Sequence, residues 1–186
     1  MQKPNADMNE VLKKLATLGG KPIEMLEPRE ARKQPTPADA VKALMAEKGI
    51  VAKSTVTTKD VTYPTGGATQ KARIYTPAGA KGPLPIVLYI HGGGWVIADI
   101  EVYDSTPRAL ADAAGAVVVS IEYRHAPEAK FPAAHDDANA AYKWVLDNAA
   151  SWGGDPNLIA VVGESVGGNM AVHRRHHGAG QRLEGT

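Results

Sequence analysis

The 186-residue chain carries 44% hydrophobic residues and a formal charge of +1, apolar enough for a core of ordinary size and without the basic excess of a nucleic-acid surface. It has no cysteine, which excludes disulfides and thiolate metal sites and suits a reducing compartment. The first twenty residues lack the apolar stretch of a secretory signal and no apolar run approaches the roughly 18 residues of a membrane helix, so a soluble, cytoplasmic protein with no membrane or nucleic-acid partner is expected.

Residues 1–50 read as helical. Met8, Val11, Leu12, Leu15 and Leu18 recur at three-to-four-residue spacing until Gly19 and Gly20 break the pattern. A second helix is expected from Pro37, behind Thr36 as N-cap, carrying Ala40, Val41, Leu44 and Met45. Both helices are amphipathic and are expected to pack on something. Their Leu and Met residues read equally as a lid over a site or as packing alone.

From Val51 to Tyr75 the composition turns to Val, Thr and Tyr around a Pro-Thr-Gly-Gly turn, which predicts a hairpin at a sheet edge. Three short apolar runs follow, "LPIVLYI", "AVVVSIEY" and "LIAVVG", separated by helical stretches at about 101–114 and 134–151. That rhythm is the βαβ pattern of a parallel sheet covered on both faces, and "LIAVV", apolar on both faces, reads as a central strand.

Open parallel sheets place their sites at the ends of such strands. Here "LPIVLYI" runs into His91-Gly92-Gly93-Gly94-Trp95, and "LIAVVG" runs into Glu164-Ser165-Val166-Gly167. Acyl transfer needs a nucleophile exposed on a tight strand-to-helix turn, and backbone N–H groups free to face the oxygen that becomes negative. A lone Gly-x-Ser-x-Gly arises by chance; the pair, in this order and each at a strand end, is far more specific.

The segments "HGGGWVIADIEVYD", "EYRHAPEAKFPAAHDDANAAYKWV" and "GGDPNLIAVVGESVGGN" together resemble the hormone-sensitive-lipase family of α/β-hydrolases, in its bacterial short-chain esterase branch, from about residue 50 to 171. The resemblance implies an α/β-hydrolase fold, a mostly parallel sheet with flanking helices, with residues 1–50 as an N-terminal helical cap and 51–172 as the first part of the core. It implies hydrolysis of short-acyl carboxylic esters, with a small-molecule ester as substrate; no cofactor and no metal are expected. Carried over position by position, it makes Ser165 the nucleophile, gives the oxyanion hole to the N–H groups of Gly93, Gly94 and Val166, and assigns His91 and Gly92 to the supporting loop. Glu164 stands where Asp is usual and Val166 where Ala is usual.

In this fold the acid and the histidine of the triad follow the serine along the chain. The 21 residues after Ser165 hold Glu184 and no Asp, so both partners and the C-terminal strands are expected to be missing, through a frame change near residue 172 or another truncation. A helix starting at the serine would carry His173 about 12 Å along its axis, beyond the reach of a general base. His173, His176 and His177 are separated by two arginines and have no carboxylate partner, and residues 173–186 are expected to form a disordered basic tail rather than a metal site.

Among the remaining candidates, His125 and His135 read as satisfied loop histidines and Asp136 and Asp137 as partners of a helix dipole. Arg124 and Glu128 are expected to brace the loop after their strand, and Asp104 to cap or bridge nearby loops. Trp95 reads equally as a liner of the acyl pocket or as a core aromatic. The expected function is a serine carboxylesterase impaired by the missing triad members; the alternatives are a non-catalytic hydrolase-like binding module and a non-functional truncated gene product. Loss of the outer strands predicts self-association through an exposed sheet edge.

Overall fold

A computed structural model describes residues 4–172. The chain divides into two compact units, with the boundary between Ser54 and Thr55. Among the described residues no helix is long and apolar enough to cross a membrane.

The first unit is helical. Helix α1 (Ala6–Thr17) opens on Asn5, whose side chain accepts the Met8 N–H at 2.8 Å. A single turn, α2 (Pro28–Ala31), leads to α3 (Pro37–Glu47). As the sequence predicts, Thr36 caps α3: its hydroxyl accepts the Asp39 N–H at 3.3 Å, while the Asp39 carboxylate accepts the Thr36 N–H at 2.8 Å. The Thr36 hydroxyl, which also donates to the Asp39 carboxylate at 2.7 Å, and then the Thr36 N–H hold the Asp39 carboxyl below its ordinary range. Ion pairs Lys14–Glu47 and Lys48–Glu10 join α1 to α3. The apolar stripe of α1 is only partly covered, since no residue of the helix is fully buried and Met8 and Leu12 remain exposed.

The second unit is built on a five-stranded sheet of β1 (Thr57–Pro64), β2 (Thr69–Thr76), β3 (Leu84–Ile90), β4 (Val117–Ile121) and β5 (Gly154–Gly163), in the order β1-β2-β4-β3-β5. The hairpin β1–β2 is antiparallel and joins β4 antiparallel, whereas β4, β3 and β5 run parallel. Strand pairing begins at Thr57 rather than Val51, because β2 ends at Thr76, opposite Thr57. Helices α4 (Ser105–Ala114) and α5 (Ala133–Asn148) make the β3-to-β4 and β4-to-β5 crossovers.

Alternation along the strands separates two cores. Ile86, Leu88 and Ile90 of β3, with Val117, Val119 and Ile121 of β4, meet the stripe Ala134, Ala138, Ala141 and Val145 of α5. Tyr89, Val118 and Tyr75 face the other way, against Ala111 of α4. All five residues of β4 are buried, as an apolar strand covered on both faces should be. Strand β5, whose composition suits a central strand, lies at one edge of the described sheet, and Leu158 and Val162 are exposed on it.

The loop that follows the end of β3 is anchored to the hairpin by charge. The Arg73 guanidinium on β2 bonds Asp60 at 2.6 Å, Glu101 at 2.5 Å and Asp104 at 3.1 Å. Asp104 also accepts from Arg108 at 3.0 Å and from the Tyr75 hydroxyl at 2.9 Å, which makes it the expected bridge between loops.

Candidate active site

The end of β5 and the helical turns over 166–172 enclose a sharp turn at Glu164-Ser165. Ser165 is exposed and sits in the left-handed region, at φ 54°. That conformation costs a non-glycine residue on the order of 1–2 kcal/mol and persists only where the surroundings enforce it. The enforcement is steric. A Cβ on Gly163 would lie 2.2 Å from the Gly167 carbonyl carbon, and one on Gly167 would lie 2.0 Å from the Ile90 carbonyl oxygen. The two glycines let the end of β5, the start of the helix and the end of β3 meet backbone to backbone. Three bonds close the turn: Glu164 N–H to Ile90 O at 3.3 Å, Gly167 N–H to Glu164 O at 2.8 Å, and Asn169 N–H to Ser165 O at 3.1 Å.

The loop leaving β3 passes directly beside this turn. A Cβ on Gly92 would come within 3.2 Å of the Glu164 carbonyl oxygen and 3.4 Å of the Ser165 Cβ. Gly93 has φ 114°, and any side chain there would strike the Ile97 carbonyl at 1.9 Å. Its own carbonyl accepts from Val96 at 3.0 Å and Ile97 at 2.9 Å, curling the loop back on itself. Among the described residues, the N–H groups of Gly93, Gly94 and Val166 donate to no protein acceptor. The sequence-predicted Ser165, Gly92, Gly93, Gly94 and Val166 therefore lie on two adjoining turns.

Behind the loop, the fully buried His91 sets its Nδ1 2.7 Å from the Gly92 carbonyl oxygen and stacks on Tyr123, ring centres 4.5 Å apart. The Tyr123 hydroxyl donates to the carbonyls of His91 and Gly92, both at 3.1 Å. Burial, then the nearby Glu122 and Tyr103, push the Tyr123 phenol up, so it remains a donor. The Tyr103 hydroxyl reaches Glu164 at 3.4 Å, and burial followed by the Glu164 charge raises that phenol too.

Two side chains differ from their sequence expectation. Asp137 is fully buried and takes Arg124 through both carboxylate oxygens, at 2.7 and 2.9 Å from the guanidinium and 2.8 Å from the Arg124 N–H. It is an ion-pair partner rather than a helix-dipole residue, and it supplies the brace expected of Arg124. His135 bonds Asn169 at 3.1 Å and stacks on Trp95, which packs partly buried against the larger core. Neither contact is visible in sequence, since each pairs residues on different elements.

Among the described residues, the Ser165 hydroxyl is hydrogen-bonded to no imidazole or carboxylate. His173, His176 and His177 lie outside the described residues. The geometry therefore sets an exposed serine hydroxyl beside backbone N–H groups that have no protein acceptor among the described residues.

The same region carries a likeness to known proteins. Residues 87–182 match the family described as alpha/beta hydrolase fold. A carboxylesterase of Mycobacterium tuberculosis is 49% identical over 100 residues, 54% of this chain and 31% of that protein. An ethyl acetate hydrolase of Pseudomonas putida is 37% identical over 169 residues, 87% of this chain and 50% of that protein. A hyperthermophilic esterase from the archaeon Pyrobaculum calidifontis superposes with a TM-score of 0.76 at 36% identity, over 95% of this chain and 56% of that one. The chain thus spans between about a third and a half of the length of these curated relatives. Its strand order, its left-handed serine turn and these matches have one consequence: the chain belongs to the alpha/beta hydrolase fold family, in its hormone-sensitive-lipase-like branch.

Proposed function

We propose that this chain carries the acylation half of a serine carboxylic ester hydrolase acting on short-acyl esters. The observation that carries the reading is an exposed Ser165, held at φ 54° against the Gly92–Gly94 loop. In this reading the Ser165 oxygen bonds the acyl carbon, the bond from that carbon to the alkoxy oxygen breaks, and the serine proton passes through solvent to the departing alcohol. The negative charge developing on the carbonyl oxygen is received by the N–H groups of Gly93, Gly94 and Val166, donors that are fixed beforehand and reorganise little. His91 and Gly92 hold that loop from below. By resemblance, the N-terminal helices act as this fold's cap.

Without a base the serine is a weak nucleophile. Loss of the catalytic histidine alone costs a serine hydrolase on the order of 10⁶ in kcat, the remainder coming from the oxyanion hole and binding. Among the described residues no base reaches Ser165, so in this reading their share of catalysis is substrate placement and charge stabilisation, and proton transfer is the step they leave unaided.

The test is p-nitrophenyl butyrate supplied to the chain and to its Ser165→Ala variant. The expected result is one butyryl group found by mass spectrometry on the peptide holding Ser165 and absent from the variant, with p-nitrophenol release that slows after about one equivalent. Equal background release and no adduct overturn the proposal. The lack of an observed base at Ser165 favours a second reading in that event, a hydrolase-like pocket that binds a small apolar ester without turning it over.

A further inference from the structure

We propose that His91, Glu122 and His125 form a binding site for a divalent transition-metal ion of the zinc class, directly beneath the Gly92–Gly94 loop. The site is independent of the esterase reading and needs none of its steps.

Sheet register brings the ligands together. Strands β3 and β4 are parallel with Ile90 opposite Ile121, so the next residue of each, His91 and Glu122, leave the sheet side by side. The chain after β4 returns under the loop, where the Ala126 N–H donates to the Trp95 carbonyl at 2.8 Å. That bond holds His125 near the other two, and one ligand atom from each of the three residues lies within 4.8 Å of the others.

Donor and acceptor roles make the cluster incomplete as it stands. A carbonyl oxygen only accepts, so His91 Nδ1, 2.7 Å from the Gly92 carbonyl, must carry the hydrogen. In the neutral ring the His91 Nε2 then presents a lone pair. That atom is buried, makes no hydrogen bond, and faces Glu122 Oε2 at 3.7 Å. Two lone-pair-bearing atoms opposed in a buried position repel unless positive charge lies between them. A proton on Nε2 would supply it, but 3.7 Å is too long for an N–H···O bond. A metal ion fits better: ligands 2.0–2.1 Å from a tetrahedral zinc lie about 3.3 Å from one another, a contraction of a few tenths of an ångström for this pair.

The other oxygen of Glu122 is already engaged, accepting the Ile100 N–H at 2.5 Å, which orients the carboxylate and leaves Oε2 free to coordinate. The Gly92 carbonyl on His91 Nδ1 orients the imidazole in the same way. Such outer bonds fix tautomer and direction in protein metal sites. Two imidazoles and a carboxylate, with no thiolate, suit Zn²⁺, Co²⁺ or Ni²⁺ rather than Mg²⁺ or Ca²⁺. The Glu122 side chain retains 16% exposure, which gives a hydrated ion a way in and leaves a fourth position for water. Sequence analysis expects no metal here because the three residues come from the ends of two strands and a loop.

The test is Co²⁺ titration of the full chain followed by its d–d absorption, with Zn²⁺ displacement to rank affinity. His173, His176 and His177 could bind metal themselves, so the measurement is made in a background with all three changed to Ala. The expected result is one-site binding that survives in this background and weakens at least tenfold with Glu122→Gln and with His125→Asn. Zn²⁺ should also raise the Tm of the background chain and leave that of the Glu122→Gln chain unchanged, a readout that stands if the His125 variant does not fold. Absorption that vanishes with the three C-terminal histidines, or that is indifferent to Glu122 and His125, overturns the site.

Discussion

At the scale of single residues, the serine turn depends on what its glycines lack. A methyl group on Gly167 would meet the Ile90 carbonyl oxygen at 2.0 Å, and a strand backbone in the middle of a sheet has nowhere to retreat. Gly167→Ala is therefore expected to cost about 3 kcal/mol or more of stability, read from the urea midpoint. Gly94 is the internal comparison, because its φ of 62° is left-handed while a Cβ there meets nothing within 4 Å. Gly94→Ala should cost only the conformational term, about 1 kcal/mol. Equal losses in the two variants would show that crowding at the turn is not what holds Ser165 in place. These glycines were legible in the sequence because spacing along one segment encodes a tight turn. Asp137 was not: its partner Arg124 is 13 residues away on another element, and a carboxylate in the first turns of a helix has an adequate local explanation. His91 and Glu122 escape for the same reason, since only the β3–β4 register sets them side by side.

Among elements, periodicity located the strands and crossovers, and pairing decided where they stop. The run from Val51 carries strand composition, yet it forms a strand only from Thr57, where β2 offers a partner. The same hairpin holds the loop after β3 through Arg73, and this network sets a pH dependence. Burial pushes the Asp104 carboxyl up, but bonds from Arg108, Tyr75 and Arg73 outweigh that and leave it below its ordinary value. The Arg73 hydrogen bond lowers Asp60 likewise. Carboxyls depressed in the folded state bind protons more readily when unfolded, so their stabilisation is complete above the unfolded pKa of about 4 and disappears as pH falls through the lower folded values. The Tm is expected to drop between pH 5 and 3, and to drop less steeply in Asp104→Asn, which should begin from a lower Tm at pH 5. Parallel curves for the two proteins would remove Asp104 from the account. Thr36 as the cap of α3 was readable because a capping box is local; the incomplete cover over α1 was not, because amphipathicity shows that a face is apolar without showing what meets it.

For the whole molecule, the consequential feature is the outer side of β5. The sequence "LIAVV" is apolar on both faces, a composition suited to a strand with neighbours on each side, whereas among the described residues β5 pairs only with β3. Ile159 and Val161 turn toward the larger core, while Leu158 and Val162 face outward, 55% and 38% exposed. An unpaired row of N–H and C=O groups beside exposed apolar side chains is a template for another strand. Proteins that keep such edges soluble usually protect them with charge, a bulge or a proline. Pro156 and the bulge before Ile159 lie at the start of β5, leaving the run from Leu158 to Gly163 without a charged residue. A formal charge of +1 gives two copies almost no mutual repulsion. We therefore expect the chain to self-associate through β5, seen as a molar mass that rises with concentration in size-exclusion chromatography with light scattering. Joint Leu158→Lys and Val162→Lys substitution leaves the inward face untouched while placing like charges on any strand that docks there. It should return the mass to that of one chain at every concentration. A parent chain that is already monomeric across the range, or a variant that associates as strongly, would place the contact elsewhere.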